Sequence, residues 1–247
     1  MRSLAFLVKK ELILLNKNIQ LNFLLLIFGL IALFLFPLSP LLKLGIMIAL
    51  LGIHIFLVSI NILISLVHEW KTQSVYTWLH IPESGYKLIL TKIAAPVLVN
   101  IISLIGTLFI IYLTLKFRIN TPINLEGQLL NVMSHAWLTL FIFIIMKSIL
   151  LSMFLLFLYL FSRSLSSYGI ATSAFMALFC VISWIVLKKT IIYEKLTHWG
   201  VLMKGEHVYR NDIYLAPYYF GNVLFDIVII FLLLCISDFL LNKKVEV

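Results

Sequence analysis

The sequence predicts an all-α polytopic membrane protein with six transmembrane helices, an N-terminal amphipathic helix at the membrane interface and an extramembrane helix between the second and third spans. Hydrophobic residues make up 63% of the 247 positions and charged residues only 12%. The mean hydropathy is +1.12, and the apolar residues gather in long runs. A soluble domain of this length could not bury that much apolar surface, so a soluble globular protein is excluded.

The net charge of +9 is spread along the chain rather than gathered in one basic block. Anionic lipid headgroups explain this distribution more simply than nucleic acid does, and no nucleic-acid motif is visible. Membrane lipid is therefore an expected partner and nucleic acid is not. No internal repeat or low-complexity tract divides the chain, so residues 1–247 are interpreted as one transmembrane domain.

Residues 1–20 are predicted to form an interfacial helix. Apolar side chains recur on one helical face and polar ones lie opposite, which is the pattern of a helix lying in the membrane surface. The alternative is a basic flank that only orients the first span. The apolar face comprises Leu4, Val8, Leu12, Leu15 and Ile19, and the polar face comprises Lys9, Lys10, Asn16 and Lys17.

Six apolar runs follow, each long enough for the ~17 to 25 residues that cross a bilayer. An even number of spans places both ends of the chain on one side. The segments on that side carry ten lysines and arginines against eight on the other, and four of the ten precede the first span. Both termini are therefore predicted to be cytoplasmic. The runs cover residues 21–38, 44–67, 93–115, 133–162, 168–187 and 221–241.

The link between spans 2 and 3, residues 68–92, is a polar island with the sequence HEWKTQSVYTWLHIPESGYKLILTK. A helix can continue past the second span until Pro82, which cannot extend a helix interior. Ser84 can cap a new helix, and Lys87 and Lys92 are expected in water or at the headgroups. The link also presents a cluster of apolar side chains, and we expect lipid or another protein to cover them. The alternative is that the link is an ordinary interfacial loop. This cluster comprises Val75, Tyr76, Trp78, Leu79 and Ile81.

The link carries a resemblance to a known family. A glutamate just after the second span, a leucine three residues before a proline, a serine and then a lysine at the next span resemble the cytoplasmic link of ATP-binding-cassette type 2 exporter permeases. The matching residues are Glu69, Leu79, Pro82, Ser84 and Lys92. In that family the link is a coupling helix that docks on the ATPase subunit. The resemblance therefore implies that coupling to an ATPase involves Glu69, Tyr76, Leu79, Ile81, Pro82 and Ser84.

The resemblance also implies a location, partners and a cargo. The chain would be an integral protein of a bacterial cell membrane that pairs with a second permease subunit as a homodimer or heterodimer. It would export an amphipathic or hydrophobic substrate, such as a peptide toxin, antimicrobial peptide, drug or lipid-linked molecule. Small exporters of phenol-soluble modulins and bacitracin-type resistance permeases are similar to it. The sequence contains no G-x-x-x-x-G-K-[ST] loop, so ATP and Mg are expected on the partner ATPase and no cofactor is expected on this chain.

A polar stripe runs along the second span. His54, Asn61, Ser65 and His68 are separated by 7, 4 and 3 residues and so lie on one helical face. The stripe is expected to point to another helix or to a hydrated pathway, since polar groups face acyl chains only at a cost. The fifth span offers a face of small residues that includes Ser173. In the resembling family these two spans line the substrate passage, and the alternative for both is helix packing.

Lys147 lies near the middle of the fourth apolar run. A charged lysine there costs about 2.5 to 3.5 kcal/mol on insertion scales, so something must offset it. Asp226 is the nearest acidic candidate, but a depth mismatch of eight residues, roughly 12 Å, argues against direct pairing. The sequence therefore favours a hydrated cavity or backbone carbonyls around Lys147, which makes it a candidate pathway residue. Structural pairing is the alternative.

The segment 188–220 is the longest extramembrane loop and is predicted to be external. It contains aromatic residues suited to the membrane interface, among them Trp199, Tyr209, Tyr214, Tyr218 and Tyr219. The resemblance implies short helices that dip back into the outer leaflet. An aromatic-anchored surface loop is the alternative.

No catalytic or metal-binding residue is predicted. The string from His68 to Thr72 begins like the zinc-protease motif H-E-x-x-H, but Thr72 replaces the second histidine. The other histidines show no metal-ligand spacing, and no G-x-S-x-G elbow supplies a nucleophile. A transport subunit is therefore favoured over a six-span intramembrane enzyme, which should carry paired carboxylates or histidines at one depth. The substrate-capture subunit of a vitamin-type importer is the other alternative.

Overall fold

The computed structural model describes residues 2–35, 40–73, 84–118, 125–165, 168–208 and 213–243. These residues form helices and a few very short strands. The helices are α1 (Arg2–Leu35), α2 (Pro40–Lys71), α3 (Gly85–Arg118), α4 (Leu125–Ser164), α5 (Gly169–Lys188), α6 (Ile191–Thr197) and α7 (Phe220–Lys243). The strands are β1 (Val201–Met203), β2 (Glu206–Val208), β3 (Ile213–Leu215) and β4 (Tyr218–Tyr219).

Five of the described helices are long and apolar enough to cross a membrane. They correspond to the predicted second to sixth spans, so the prediction of a helical, polytopic membrane protein is confirmed. The first predicted span, residues 21–38, falls partly on α1 and partly outside the described residues, and it is not confirmed. The five candidate spans are Gly45–Lys71, Gly85–Thr114, Trp137–Ser164, Gly169–Lys188 and Phe220–Asn242.

Helix α1 continues without interruption across the boundary predicted at residue 20, so a separate interfacial helix is not confirmed. Two contacts define its path along α2. The Glu11 carboxylate accepts a hydrogen bond from Ser65, and Asn22 donates one to Asn61. Glu11 and Asn22 are eleven residues apart along α1, which corresponds to about 16 Å. Their partners on α2 are only four residues apart, which corresponds to about 6 Å. The first part of α1 crosses α2 obliquely.

The main hydrophobic core forms where α2, α3, α4 and α7 meet. Its side chains recur at helical spacing, so each helix presents one apolar stripe to the others. Helix α5 stands apart, because no residue in its most apolar stretch is buried. The core includes Val58, Ile62 and Leu66 from α2, Leu88 and Ile89 from α3, Met153, Leu156 and Leu160 from α4, and Leu240 and Leu241 from α7.

The bundle has two distinct ends. The link end is where α2 ends at Lys71 and α3 begins at Gly85, and the loop end carries residues 189–208 and 213–219. Gly85 packs so closely against Asp238 near the end of α7 that a Cβ there would overlap the aspartate side chain. Because Glu11 of α1 also contacts the end of α2, both ends of the described chain approach the link end.

Most of the predicted external loop is folded at the loop end. Strand β1 pairs antiparallel with β4, and β2 pairs antiparallel with β3. Thr190 caps α6 by accepting a hydrogen bond of 3.2 Å from the Tyr193 amide. The Tyr193 ring in turn meets Phe225 of α7 edge to face, with 5.3 Å between centroids. Aromatic packing thus ties this segment to a span, and its external location stays a prediction.

Candidate functional site

A buried ion cluster joins three helices at the link end. The Lys92 ammonium on α3 lies 2.8 Å from a Glu11 oxygen on α1 and 2.7 Å from a Glu69 oxygen on α2. It also donates a hydrogen bond of 2.9 Å to the Ser65 hydroxyl on α2. The Lys92 ammonium therefore has close polar partners on two other helices. Glu11, Ser65, Glu69 and Lys92 are called the link-end cluster below.

The charges at the link-end cluster are balanced, and a hydroxyl connects two of its members. The Ser65 hydroxyl accepts from Lys92 and donates to the second oxygen of Glu11 at 3.0 Å. Lys10 lies 4.0 Å from Glu69 and is about one-third exposed, so two cations face two carboxylates. Buried charges persist when they are paired and hydrogen-bonded in this way.

The sequence explains how α2 and α3 contribute to the link-end cluster. Ser65 and Glu69 are four residues apart on α2 and share a face. Glu69 lies near the end of α2 and Lys92 lies in the first turns of α3, so the two residues stand near the two ends of the link. Their ion pair therefore holds the two ends of the link together. Lys92 was expected in water or at the headgroups, and this was wrong, because its side chain is 0% exposed.

Glu11 is the member that the sequence interpretation missed. It lies between the buried Leu7 and Leu15 at intervals of four residues, so all three occupy one helical face. An acidic residue on that apolar face, surrounded by lysines, was the available signal. The partner could not be known from the sequence, because Lys92 is distant along the chain.

The link itself is described only at its edges. Ser84 immediately precedes α3, and its carbonyl accepts hydrogen bonds from the amides of Lys87 and Leu88. It thus occupies the position predicted for a helix start. The other predicted docking residues, Tyr76, Leu79, Ile81 and Pro82, lie outside the described residues.

An aromatic contact adds α4 to the link end. The guanidinium of Arg163, near the end of α4, lies 5.2 Å from the Trp70 ring centroid and 5.4 Å from that of Tyr159. Trp70 also meets Tyr159 edge to face at 5.4 Å. A guanidinium over aromatic faces is attracted by the ring quadrupoles. Trp70 is the neighbour of Glu69, so the base of the link touches α4 as well.

The His54 imidazole lies at the centre of a second polar network and is fully buried. Its Nδ1 is 2.9 Å from Asn100 Oδ1, and its Nε2 is 3.0 Å from the Thr107 hydroxyl. The Asn100 amide nitrogen donates onward to Ser148 on α4 at 3.3 Å. A neutral imidazole that donates from Nδ1 and accepts at Nε2 satisfies both contacts. The network joins α2, α3 and α4.

Three of the four residues in the predicted polar stripe therefore bond to other helices. His54 bonds to α3, Asn61 accepts from Asn22 of α1 at 3.5 Å, and Ser65 belongs to the link-end cluster. His68 is exposed and does not share this environment. These contacts match the packing alternative. The pathway role of His54, Asn61 and Ser65 stays a prediction.

Lys147 pairs directly with Asp226, contrary to the expectation of a cavity or backbone carbonyls. Lys147 Nζ lies 2.6 Å from the carboxylate. A lysine side chain is long enough to bridge a modest offset between two packed helices. Residue counts along the two apolar runs did not reveal how these helices are offset against one another.

The Lys147–Asp226 pair lies beneath aromatic side chains of the loop end. The Phe143 ring lies 5.9 Å from Lys147 Nζ and meets Tyr218 edge to face at 5.3 Å. Burial and the nearby Asp226 charge raise the pKa of Tyr218 to about 12. Burial first, and then the same carboxylate, also raise the pKa of Tyr193. Both phenols therefore stay neutral at physiological pH.

Ser173, the predicted pathway residue on α5, is not drawn into either network. Its hydroxyl donates to the Ile170 carbonyl in its own helix at 2.9 Å. Gly169 packs against the Ser162 carbonyl so closely that no Cβ fits there. This contact fixes the start of α5 against α4, while the outward side chains of α5 are exposed. Its most exposed large side chains are Ile170, Phe175 and Phe179.

Within the part of the chain that the structure describes, no group of three or more His, Cys, Asp or Glu residues is placed to hold a metal ion. No protein-family model, curated protein or solved structure matches this chain.

Proposed function

We propose that this chain is the transmembrane permease subunit of an ATP-driven exporter of the ATP-binding-cassette type 2 kind. It moves an amphipathic or hydrophobic substrate out of a bacterial cell, while ATP and Mg bind to a separate ATPase subunit. The link and both termini face the cytosol. The resemblance of the link residues and the geometry around them support this function.

The ion pair between Glu69 and Lys92 is the observation that carries the proposal. The two residues lie near the two ends of the link, on different helices, and their charged atoms are 2.7 Å apart in a buried site. An exposed ion pair contributes only about 0 to 1 kcal/mol. Removing one partner of a buried pair costs about 3 to 5 kcal/mol. A link that transmits force must be anchored to the spans by a stable contact such as this ion pair, whereas an ordinary interfacial loop needs no such contact.

The neighbouring contacts would distribute a force applied to the link over four helices. Glu69 and Trp70 belong to α2, Lys92 belongs to α3, Glu11 brings in α1 and Arg163 brings in α4. A push from the ATPase on the link would move these helices together. Packed interfaces switch between discrete arrangements rather than deforming continuously, which suits alternating access.

A second permease subunit would lie along α5. This helix carries exposed apolar side chains over its length and contains small residues such as Ser173. Small residues allow helices in a membrane to approach closely. Lipid alone could also cover this face, so α5 supports pairing less strongly than the link-end cluster supports coupling.

The test is Leu79→Arg, because Leu79 is the sequence-predicted docking contact. Gln73→Arg is the matched control, since it adds the same charge at an exposed position at the start of the link. Each chain is purified in mild detergent from its native membrane, and the associated P-loop ATPase and its ATP turnover are measured. Leu79→Arg is expected to lose the ATPase while its thermal unfolding is unchanged, and Gln73→Arg is expected to keep it.

Two results would count against the proposal. Full ATP turnover by a complex that contains Leu79→Arg would show that docking does not use this part of the link. If no ATPase accompanies the unmodified chain and none restores transport on reconstitution, the permease function is wrong.

A further inference from the structure

A cavity of about 660 Å³ lies between α3 and α4, in the half of the bundle toward the loop end. Ligand sites in proteins typically measure about 300 to 1,000 Å³. We propose that this groove binds one membrane phospholipid, with an acyl chain in the groove and the phosphate at Lys116. The lining is apolar or aromatic and includes Ile105, Phe109 and Tyr112 of α3 and Trp137, Leu138 and Phe141 of α4.

The depth of the groove fits a lipid chain better than a protein helix. The groove runs along α3 from Tyr112, two residues before the end of the span at Thr114, to Ile105. Seven residues correspond to about 10 Å, which lies within one leaflet of a hydrocarbon core about 30 Å thick. A helix from a second copy would cross both leaflets. An acyl chain needs only one.

A cation lies on the groove-lining face of α3, about one helical turn beyond Tyr112. Ile105, Phe109, Tyr112 and Lys116 are separated by 4, 3 and 4 residues and so share one face of α3. Lys116 is exposed and lies two residues beyond the end of the span, at headgroup level. An ammonium at that level attracts the phosphate of a phospholipid.

Aromatic side chains lie at the same end of the groove. Tyr112 lies near the end of the α3 span and Trp137 begins the α4 span. Tyrosine and tryptophan prefer the membrane–water interface, where one end of the ring system is apolar and the other polar. Side chains from two helices contact the acyl chain from both sides, so the lipid is held more firmly than a lipid on the surface of a single helix. This inference requires only the membrane location and does not rest on transport.

Native mass spectrometry of the full chain, purified in mild detergent, tests the proposal. The unmodified chain is expected to retain a phospholipid. Ile105→Trp fills the groove and should abolish retention. Its matched control is Ile182→Trp on α5, since Ile105 is 53% and Ile182 is 52% exposed. Thermal unfolding of each variant checks that the fold is intact.

Two further variants test the contact between Lys116 and the lipid headgroup. Lys116→Gln should lower retention about fivefold, which corresponds to about 1 kcal/mol for one basic residue near a membrane surface. Lys189→Gln, at another exposed lysine, should leave retention unchanged. Absence of a retained phospholipid from the unmodified chain, or equal retention in all variants, would overturn the proposal. So would conversion of a dimer to a monomer by Ile105→Trp without any change in lipid, because a second copy would then occupy the groove.

Discussion

Among the described residues, Lys92 and Lys147 form ion pairs toward opposite ends of the bundle, and their surroundings differ. Near the link end, Lys92 is 0% exposed and meets two carboxylates and a hydroxyl from two other helices. Toward the loop end, Lys147 is 26% exposed and pairs with Asp226. An ammonium with partners on two other helices connects three helices, whereas a single pair connects two. We therefore expect the helices to be held more firmly at the link end.

The largest expected effect follows from Lys92→Met. The change leaves the buried carboxylates of Glu11 and Glu69 without their shared cation, so we expect a loss of about 3 to 5 kcal/mol in the free energy of unfolding. The measurement is denaturant unfolding in detergent. Lys71→Met removes an exposed lysine at the same end and should cost less than about 0.5 kcal/mol. Equal stabilities of the two variants would refute the structural role of Lys92 in the link-end cluster.

Lys147→Met should have an intermediate effect. Asp226 loses its partner, but the site is partly open, so we expect a loss of about 1 to 3 kcal/mol. Adding Asp226→Leu removes the uncompensated charge and should restore most of the stability, since an apolar pair replaces a buried ion pair well. If the double variant stays stable but cannot transport, Lys147 has the pathway role predicted from the sequence.

Ser59→Ala should have the smallest effect. It removes the 3.1 Å contact between Ser59 on α2 and Ser152 on α4, while Ser152 keeps its bond to the Ser148 carbonyl. Interhelical hydrogen bonds in membranes average about 0.6 kcal/mol. Ser173→Ala is the control, because that hydroxyl bonds within its own helix. A loss above that of Lys147→Met would reverse the expected order.

Hydropathy predicted the second to sixth spans, because the apolar stretches themselves determine which helices can cross the membrane. The pairing of charges could not be predicted in the same way. Lys92 was placed in water because it lies at the end of a polar link, yet Glu11 reaches it from an N-terminal segment that had been assigned to the membrane surface. Asp226 was judged too shallow for Lys147 because residues were counted along two separate apolar runs, and such a count does not give the offset between two packed helices.

The polar stripe on α2 shows the same limit. Helical periodicity correctly placed His54, Asn61 and Ser65 on one face, and the structure buries all three. Periodicity alone could not distinguish a passage from a helix contact, because both require a polar face that avoids lipid. The partners Asn100 and Asn22 lie on other helices and could not be identified from the sequence, and their contacts match the helix-contact alternative while the passage stays a prediction.

The central claim is that the Glu69–Lys92 pair transmits force from the ATPase to the spans. Its most direct test is Glu69→Gln, with ATP hydrolysis and substrate export measured in the same reconstituted complex. We expect hydrolysis to continue while export per ATP falls about tenfold, equivalent to about 1.4 kcal/mol of lost coupling. Ser59→Ala serves as the control and should leave this ratio unchanged. An unchanged ratio in Glu69→Gln, or a parallel fall of hydrolysis and export, would contradict the claim.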